Sequence, residues 1–270
     1  IRENKTHADK TFYIPHAIPP DLFKPIPEEA KTQAKEAIFG KERSDHFVGI
    51  WVNRNAKRKR PNDAILSWKL FLDNLEKKEG HRNAILIMHT EPNDHEGPNL
   101  FASTKALGLE NNVFFSRDRV EFDKMNVLYN ISDFCFTLSY AEGFGLSTLE
   151  AMMTGTPIIA PMTGGLTRQA VDHRDDSHNG VAMPIELRTL VGSQSVPYIY
   201  EDYVNNNSVA DAIMKLYQMN PEERKQLSEK VFEYATTQFS YDNVVNMWHD
   251  NMLQTIEKFK SYKAWEKITF

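Results

Sequence analysis

The chain has 270 residues, 41% of them hydrophobic and 26% charged, which is enough to bury a large core in one α/β domain or two smaller ones. Its net charge of −5 argues against general nucleic-acid binding, because such domains are usually basic. A single cysteine, Cys135, excludes a disulfide framework and a cysteine zinc site, and no apolar run is long enough to span a bilayer. With no apolar signal segment at the start, we expect a cytoplasmic protein.

Short apolar runs along the chain predict β-strands. Several are apolar at every position, which is typical of strands that are buried on both faces of a parallel sheet. The predicted strands are Phe12–Ile14, Phe47–Val52, Ala84–His89, Val113–Phe115, Phe134–Leu138, Pro157–Ala160 and Gly180–Met183.

Helical patterns separate these strands. The first helix has an apolar face made of Ile65, Trp68, Leu72 and Leu75, and it ends at Gly80. Two further helices are predicted over Asn99–Leu107 and Phe122–Ile131. This alternation predicts an α/β fold with a Rossmann-like, doubly wound parallel sheet, which binds ligands at the carboxyl ends of its strands.

Helix dominates after about Ser208. Ser208 can cap a helix that ends near Tyr217, and Pro221 begins another. A third predicted helix, Asp242–Phe259, carries an apolar stripe. The segment Ile185–Asn207 has little periodicity and is predicted to be a long loop. We expect a single α/β domain over residues 1–270, with a helical end at about 208–270.

The most informative motif is a glycine-rich turn between two carboxylates, Glu142-Gly-Phe-Gly-Leu-Ser-Thr-Leu-Glu150. Its glycines, Gly143 and Gly145, allow a ligand to approach closely, and the first amides of the following helix are natural phosphate donors. Ser147 is predicted to cap this helix. Two structural alternatives stay open, because Ser147 and Glu150 have capping-box spacing and Glu142 could be an exposed loop acid.

A second motif is a basic segment, residues 53–60, which follows the strand Phe47–Val52 and precedes a helix that starts near Pro61. Positive charge is disfavoured at a helix N-terminus, so this cluster in an acidic chain indicates a polyanionic ligand whose phosphates the cations would contact. The alternative is a solvated charge run. The cations are Arg54, Lys57, Arg58, Lys59 and Arg60.

Two weaker features follow the predicted strand Pro157–Ala160. Gly164 and Gly165 could present amides to a ligand, although a tight strand-to-helix turn explains them more simply. His173 and His178 lie in an acidic loop without the spacing of metal ligands on a helix, so a solvated loop is favoured over a metal site.

These loops, in this order, closely resemble the carboxyl-terminal, donor-binding lobe of GT-B-fold retaining glycosyltransferases of the glycosyltransferase 4 type. The Glu-x7-Glu motif of that family matches Glu142 through Glu150, and its phosphate-binding arginine and lysine match Arg54 and Lys59. The resemblance covers roughly residues 11–240. Further matches are Tyr13-Ile-Pro-His-Ala-Ile18 (with Ala17 where the family usually has glycine), Asn112–Phe115, Leu128–Asp133, Pro157–Ala160 and Gly164-Gly165.

The resemblance implies that the substrate is a nucleotide-diphosphate sugar, UDP- or GDP-linked, and it implies no metal or other cofactor. Arg54 and Lys59 would neutralise the departing diphosphate. Glu142 would hold hydroxyls of the donor sugar, and Glu150 would accept hydrogen bonds from the ribose. Backbone amides of the glycine-rich turn would assist, and the end of one strand would lie by the base. The turn amides belong to Gly143, Phe144, Gly145, Leu146, Ser147 and Thr148. The residues beside the base would be Phe115 and Arg117.

The family's enzymes also have an amino-terminal lobe, so the resemblance implies a sugar transfer that is complete only with that partner lobe, to a glycan, lipid or protein acceptor. In the family the last helix crosses to the missing lobe. We therefore expect apolar side chains near the carboxyl end to be exposed or buried by self-association. They are Leu253, Ile256, Phe259, Tyr262, Trp265, Ile268 and Phe270.

Two other functions stay open. The chain could be a nucleotide-sugar-binding or scaffold module without turnover. It could also be a phosphorylase-like GT-B enzyme, which would need a lysine that anchors pyridoxal phosphate, and no sequence feature singles out such a lysine.

Overall fold

A computed structural model describes residues 11–260, and its central feature is a six-stranded parallel sheet. The strand order is β3-β2-β1-β4-β5-β6. The strands are β1 (Phe47–Val52), β2 (Ala84–His89), β3 (Val113–Ser116), β4 (Phe134–Phe136), β5 (Ile158–Pro161) and β6 (Gly180–Met183). The predicted doubly wound α/β sheet is therefore confirmed.

The sheet reverses direction between β1 and β4. The chain builds outward from β1 through β2 to β3, and then returns to place β4 on the other side of β1. The two strands pair through Gly49 with Phe134 and Ile50 with Cys135. In an open parallel sheet such a reversal leaves a crevice at the carboxyl ends of the strands, because the loops that follow them diverge to opposite faces.

Helices cover both faces of the sheet. Their bounds are α1 (Glu28–Phe39), α2 (Pro61–Glu79), α3 (Leu100–Ala106), α4 (Phe122–Asn130), α5 (Leu146–Met153), α6 (Thr167–Ala170), α7 (Asn206–Tyr217), α8 (Pro221–Gln238) and α9 (Tyr241–Lys260). The helix that was predicted to end at Gly80 does so, with this glycine in the left-handed conformation at φ 76°.

The core has one apolar layer on each face of the sheet. On β1, Phe47 and Trp51 pack into the layer under α2 and α7, whereas Val48 and Ile50 pack into the layer under α4 and α5. Alternate side chains of a strand point to opposite faces, so a strand that is covered on both faces must be apolar throughout. This is why the short unbroken apolar runs predicted β1 to β6.

Two of the predicted elements are wrong. Phe12–Ile14 forms no strand, and Phe12 instead lies under the ammonium group of Lys258, 5.5 Å from the ring centroid. The predicted loop Ile185–Asn207 contains an antiparallel hairpin, β7 (Leu187–Val191) and β8 (Ile199–Tyr203).

The base of this hairpin is held by residues that are distant in the sequence. Asp202 accepts two hydrogen bonds from Arg188 across the strands, and its own amide donates to the carbonyl oxygen of Tyr140 at 2.9 Å. Tyr203 packs on Tyr140 with ring centroids 4.9 Å apart. Tertiary contacts of this kind stabilise a hairpin whose own sequence has no strong alternation.

Helix ends also differ in detail from the prediction. α7 starts at Asn206 and is capped by Asn205 rather than by Ser208, and α1 was not predicted. Pro221 does begin a helix, which Asn220 and Glu223 close with a capping box.

The last described helix, α9, carries apolar side chains that are largely exposed. Val244 is its buried residue, whereas Trp248 is 50% exposed and Phe259 is 75% exposed. An exposed apolar surface is thus present where it was predicted, although Tyr262, Trp265, Ile268 and Phe270 lie outside the described residues. Among residues 11–260, no helix combines the length and the hydropathy that a bilayer crossing requires.

Candidate functional site

Three loops meet at the carboxyl edge of the sheet, near the reversal between β1 and β4. They are the basic segment 53–60 after β1, the segment 137–145 after β4, and the segment 162–166 after β5. Together they contain the basic, glycine-rich and carboxylate motifs that the sequence singled out.

The basic segment ends in a short 3-10 turn, Lys57–Lys59, followed by Arg60 in the left-handed conformation at φ 53°. The side chain of Arg60 is buried, and it donates to the carboxylate of Asp63 and the carbonyl oxygen of Val204. Its guanidinium also lies 5.3 Å from the ring centroid of Tyr203. One of the five predicted ligand cations is therefore a structural group that ties α2 to the hairpin.

The two cations before Arg60 contact the glycine-rich loop. Arg58 donates to the carbonyl oxygen of Ala141 at 2.9 Å and to Glu142 Oε2 at 3.3 Å. Lys59 Nζ contacts the same carboxylate oxygen. The side chains of Lys59 and Glu142 are both only 14% exposed, so water screens this pair less than a surface pair. The structure thus brings together two of the predicted catalytic residues and adds Arg58, which the motif comparison did not select.

Arg54 lies apart from that group. Its guanidinium donates to Asp94 Oδ2 at 2.8 Å and contacts Glu96 Oε2 at 3.1 Å. These carboxylates belong to the loop after β2, which is anchored by the buried amide of Asn55 on the carbonyl oxygens of Pro92 and Pro98. Two acids therefore neutralise the arginine that the resemblance places on the diphosphate.

The glycine-rich turn leads directly into α5. Gly145 has φ 94° and occupies the position before the first helical residue, Leu146. Ser147 is consequently inside the first turn and does not cap the helix, so the predicted cap is wrong. The capping-box alternative for Glu150 fails for the same reason, and its carboxylate is hydrogen-bonded elsewhere.

Gln169 fixes the peptide groups of this turn and was missed in the sequence. It is fully buried, and its Nε2 donates to the carbonyl oxygens of Phe144 at 2.8 Å and Gly145 at 3.0 Å. Its Oε1 accepts from the hydroxyl of Thr148 at 2.6 Å. In a trans peptide the carbonyl and the N–H point in opposite directions, so the amides of Gly145 and Leu146 point away from Gln169. No local sequence signal identifies a glutamine more than twenty positions from the turn it holds.

The two glycines after β5 support the same turn. The amide of Gly165 donates to the carbonyl oxygen of Glu142 at 3.0 Å, so it is engaged inside the protein rather than free for a ligand. Gly164 has φ 50°, and a Cβ there would overlap that carbonyl oxygen. The tight-turn explanation of this pair therefore describes the structure.

Glu150 lies one turn into α5, with its carboxylate in a largely buried position. The hydroxyl of Tyr129 donates to its Oε2 at 2.7 Å. Burial raises the pKa of Glu150, and the hydrogen bond from Tyr129 opposes that shift. Tyr129 itself is fully buried, and burial together with the neighbouring carboxylate raises its pKa well above the usual value.

The predicted base-binding residues lie at the end of the edge strand β3. Phe115 packs edge-on against Phe101 with ring centroids 5.0 Å apart, and Arg117 lies over the same Phe101 ring at 5.7 Å. The structure therefore joins these residues into one aromatic and cationic surface, separated from the glycine-rich turn by β2 and β1.

The histidine-containing loop has ordinary side-chain partners. His173 contacts the hydroxyl of Tyr234, and Arg174 pairs with Asp172 and Glu233. Over residues 11–260 there is no group of three or more His, Cys, Asp or Glu side chains that could hold a metal ion.

Comparison with known proteins gives the family. The model of the family described as "Glycosyl transferases group 1" matches residues 33–186, which is more than half of the chain. The chain belongs to this family. Its fold agrees with a solved C-terminal domain of a glycosyl transferase group 1 family protein (LpcC) from Francisella tularensis, at TM-score 0.59 and 19% identity, over 83% of this chain and 99% of that one.

Longer relatives match only in part. A D-inositol 3-phosphate glycosyltransferase of Salinispora tropica is 36% identical over 90 residues, which are 32% of this chain and 18% of that protein. The structure of Anabaena Alr3699/HepE, determined in complex with UDP and glucose, aligns at TM-score 0.69 and 16% identity, over 92% of this chain and 58% of the other. This chain thus spans less than two thirds of the length of each of these two relatives. Its fold is that of the carboxyl-terminal lobe of GT-B glycosyltransferases.

Proposed function

We propose that this chain is the donor-binding part of a retaining glycosyltransferase, which transfers a sugar from a UDP- or GDP-linked donor to an acceptor. One observation carries the proposal: cations after β1 lie opposite a glycine-rich turn after β4, in the crevice where the sheet reverses. Arg58 and Lys59 provide positive charge, and the amides of Gly145 and Leu146 provide outward-facing donors.

The donor diphosphate fits this crevice chemically. When the bond between the anomeric carbon and the diphosphate oxygen breaks, negative charge develops on the leaving group. Fixed cations and backbone amides that are already aimed at that position stabilise the charge without reorganisation. In this proposal the side chains of Lys59, Arg58 and Arg54 neutralise the leaving group, so no bound metal is required.

Glu142 and Glu150 are assigned to the hydroxyl-bearing parts of the donor. A diphosphate would draw Lys59 away from Glu142, and the freed carboxylate could then accept hydrogen bonds from the donor sugar. Glu150 lies one turn further along the face of α5 that begins at Leu146, where it would accept from the ribose. The complex of Alr3699/HepE with UDP and glucose is consistent with a uridine nucleotide as one candidate.

The acceptor site and the catalytic cycle are assigned to a partner lobe. The chain aligns with only 58% of Alr3699/HepE, which leaves room for a second lobe in a complete enzyme. We propose that this lobe supplies the acceptor contacts and that the sugar is transferred with its anomeric configuration retained.

Titration calorimetry of the chain with UDP, GDP, ADP and their glucose conjugates tests donor binding. We expect one base to be preferred and the corresponding monophosphate to bind more weakly, because it lacks the second phosphate. The absence of a binding heat with every nucleotide would refute the donor-binding proposal.

Transfer itself is tested on a protein that also contains the partner lobe. The anomeric configuration of the product, read by NMR, decides between retention and inversion. Donor binding without any glycosidic product, across a broad acceptor panel, would instead identify a nucleotide-sugar-binding module without turnover.

A further inference from the structure

The hydroxyl of Tyr129 is buried where it can act on only a few groups. Tyr129 is fully buried, and its ring packs edge-on against Phe23 with centroids 5.8 Å apart. The backbone around it is also fixed, because the hydroxyl of Thr156 donates to the Tyr129 carbonyl oxygen at 2.9 Å. The side chain therefore presents its O–H from a rigid position on α4 toward α5.

This O–H meets one oxygen of the Glu150 carboxylate. Oε2 accepts from Tyr129 at 2.7 Å, and within the described part of the chain the structure shows no other hydrogen bond to this carboxylate. A partly buried carboxylate that loses its hydration is costly unless hydrogen bonds replace it. Tyr129 satisfies one oxygen and leaves Oε1 to accept from elsewhere.

We infer that Tyr129 is a positioning residue that holds Glu150 for the two vicinal hydroxyls of a ribose. The inference rests on the proposed function, in which Glu150 contacts the nucleotide. The hydrogen bond to Oε2 restricts the rotation of the carboxylate, and it leaves Oε1 as an acceptor for the ribose hydroxyls. The site is therefore expected to prefer a ribonucleotide over its 2′-deoxy analogue, and Tyr129 is expected to set the size of that preference.

The variant Tyr129→Phe tests this without altering the packing volume by more than one oxygen. The measured quantity is the ratio of the dissociation constants for 2′-deoxyribo- and ribonucleoside diphosphates, with UDP and GDP pairs as probes. We expect this ratio to fall roughly tenfold in the variant, since a hydrogen bond to a charged group is among the stronger ones. The ratio between monophosphate and diphosphate affinities should not change, because the phosphates lie on other groups.

Tyr234→Phe is the matched control. Tyr234 belongs to the same apolar layer and is also fully buried, but its hydroxyl donates to the carbonyl oxygen of Arg168 at 2.6 Å and not to Glu150. Its removal should leave the preference for ribose unchanged. If the Tyr129→Phe protein is only marginally stable, the ribose preference is read instead from the difference between the urea midpoints at equal, saturating concentrations of the two nucleotides, because mass action makes that difference follow the logarithm of the affinity ratio.

The outcomes separate the two claims. If Tyr129→Phe and the unaltered chain bind nucleotide with the same ribose preference, the positioning role of Tyr129 is refuted while donor binding stands. If Tyr129→Phe weakens the ribo- and deoxyribonucleotides equally, the hydroxyl serves only the fold. If the unaltered chain binds no nucleotide, the proposed function fails instead.

Discussion

Lys59 and Glu142 form an ion pair that joins the loop after β1 to the loop after β4, across 83 positions of sequence. The pair lies at the reversal of the sheet, and Arg58 contacts the same carboxylate oxygen. Each partner is a predicted ligand group in the proposed donor site. A diphosphate and Glu142 would therefore compete for one ammonium group, and donor binding should exchange one anionic partner of Lys59 for another.

Lys59→Met should weaken nucleoside diphosphate binding by about 10- to 100-fold, the loss expected for one charge-assisted hydrogen bond to phosphate. Monophosphate binding should change less, and the salt dependence of diphosphate binding should decrease. Calorimetry at two ionic strengths measures both effects.

Lys57→Met is the control for this experiment. Lys57 is exposed at the start of the same 3-10 turn, and it carries the same charge two positions away. A loss at Lys57 equal to that at Lys59 would show a diffuse electrostatic effect, and it would contradict a specific phosphate contact.

Asp94→Asn should strengthen diphosphate binding several-fold, because the carboxylate that holds Arg54 is replaced by a neutral amide of nearly the same shape. The gain should vanish in the double variant with Arg54→Met. Affinities of the four proteins, measured by calorimetry, form a double-mutant cycle. An equal gain with and without Arg54 would mean that Arg54 does not contact the phosphate.

Glu150→Gln should stabilise the protein at neutral pH while it weakens ribonucleotide binding. Burial holds the folded-state pKa of Glu150 above the unfolded value, with Tyr129 and Cys135 as the titratable groups that face the carboxylate. The native state therefore binds more protons than the unfolded state between these two values, and the free energy of unfolding falls as pH rises through that window. Above it, the ionised carboxylate costs stability, and the amide does not.

Melting temperatures from about pH 4 to about pH 8 check this sign. The melting temperature of Glu150→Gln minus that of the unaltered protein should become more positive as pH rises. Glu229→Gln, which removes an exposed carboxylate on α8, is the control for the loss of one surface charge. Lost stability at every pH would contradict the expectation, and it would indicate a structural need for the charge.

Gln169→Leu should destabilise the fold by about 1–3 kcal/mol, since it leaves the carbonyl oxygen of Phe144 without its buried donor, whereas that of Gly145 keeps the amide of Leu149 and the hydroxyl of Thr148. It should also reduce the preference for diphosphate over monophosphate, because the outward amides are no longer fixed. Urea unfolding and calorimetry measure the two effects. Gln226→Leu, on the exposed surface of α8, should change neither, and an unchanged diphosphate preference in Gln169→Leu would refute the orienting role.

Much of the sheet could be predicted because its information is local. Strands such as Phe47–Val52 are covered on both faces, so a short unbroken apolar run is enough to identify them. The hairpin Leu187–Tyr203 was missed because contacts to Tyr140 support it rather than its own pattern. Ser147 was predicted as a cap from spacing alone, whereas the conformation of Gly145 sets the start of the helix.

The sequence by itself determined the α/β class, the two carboxylates of the glycine-rich turn and the presence of a basic segment beside it. Only the tertiary structure decided which groups meet. It turns Arg60 into the protein, pairs Arg54 with an acidic loop, and leaves Arg58 and Lys59 at the turn. The physical reason is range. Helix and strand patterns depend on neighbours along the chain, whereas charge partners and buried hydrogen bonds are fixed by strand order, which brings together residues that are distant in sequence.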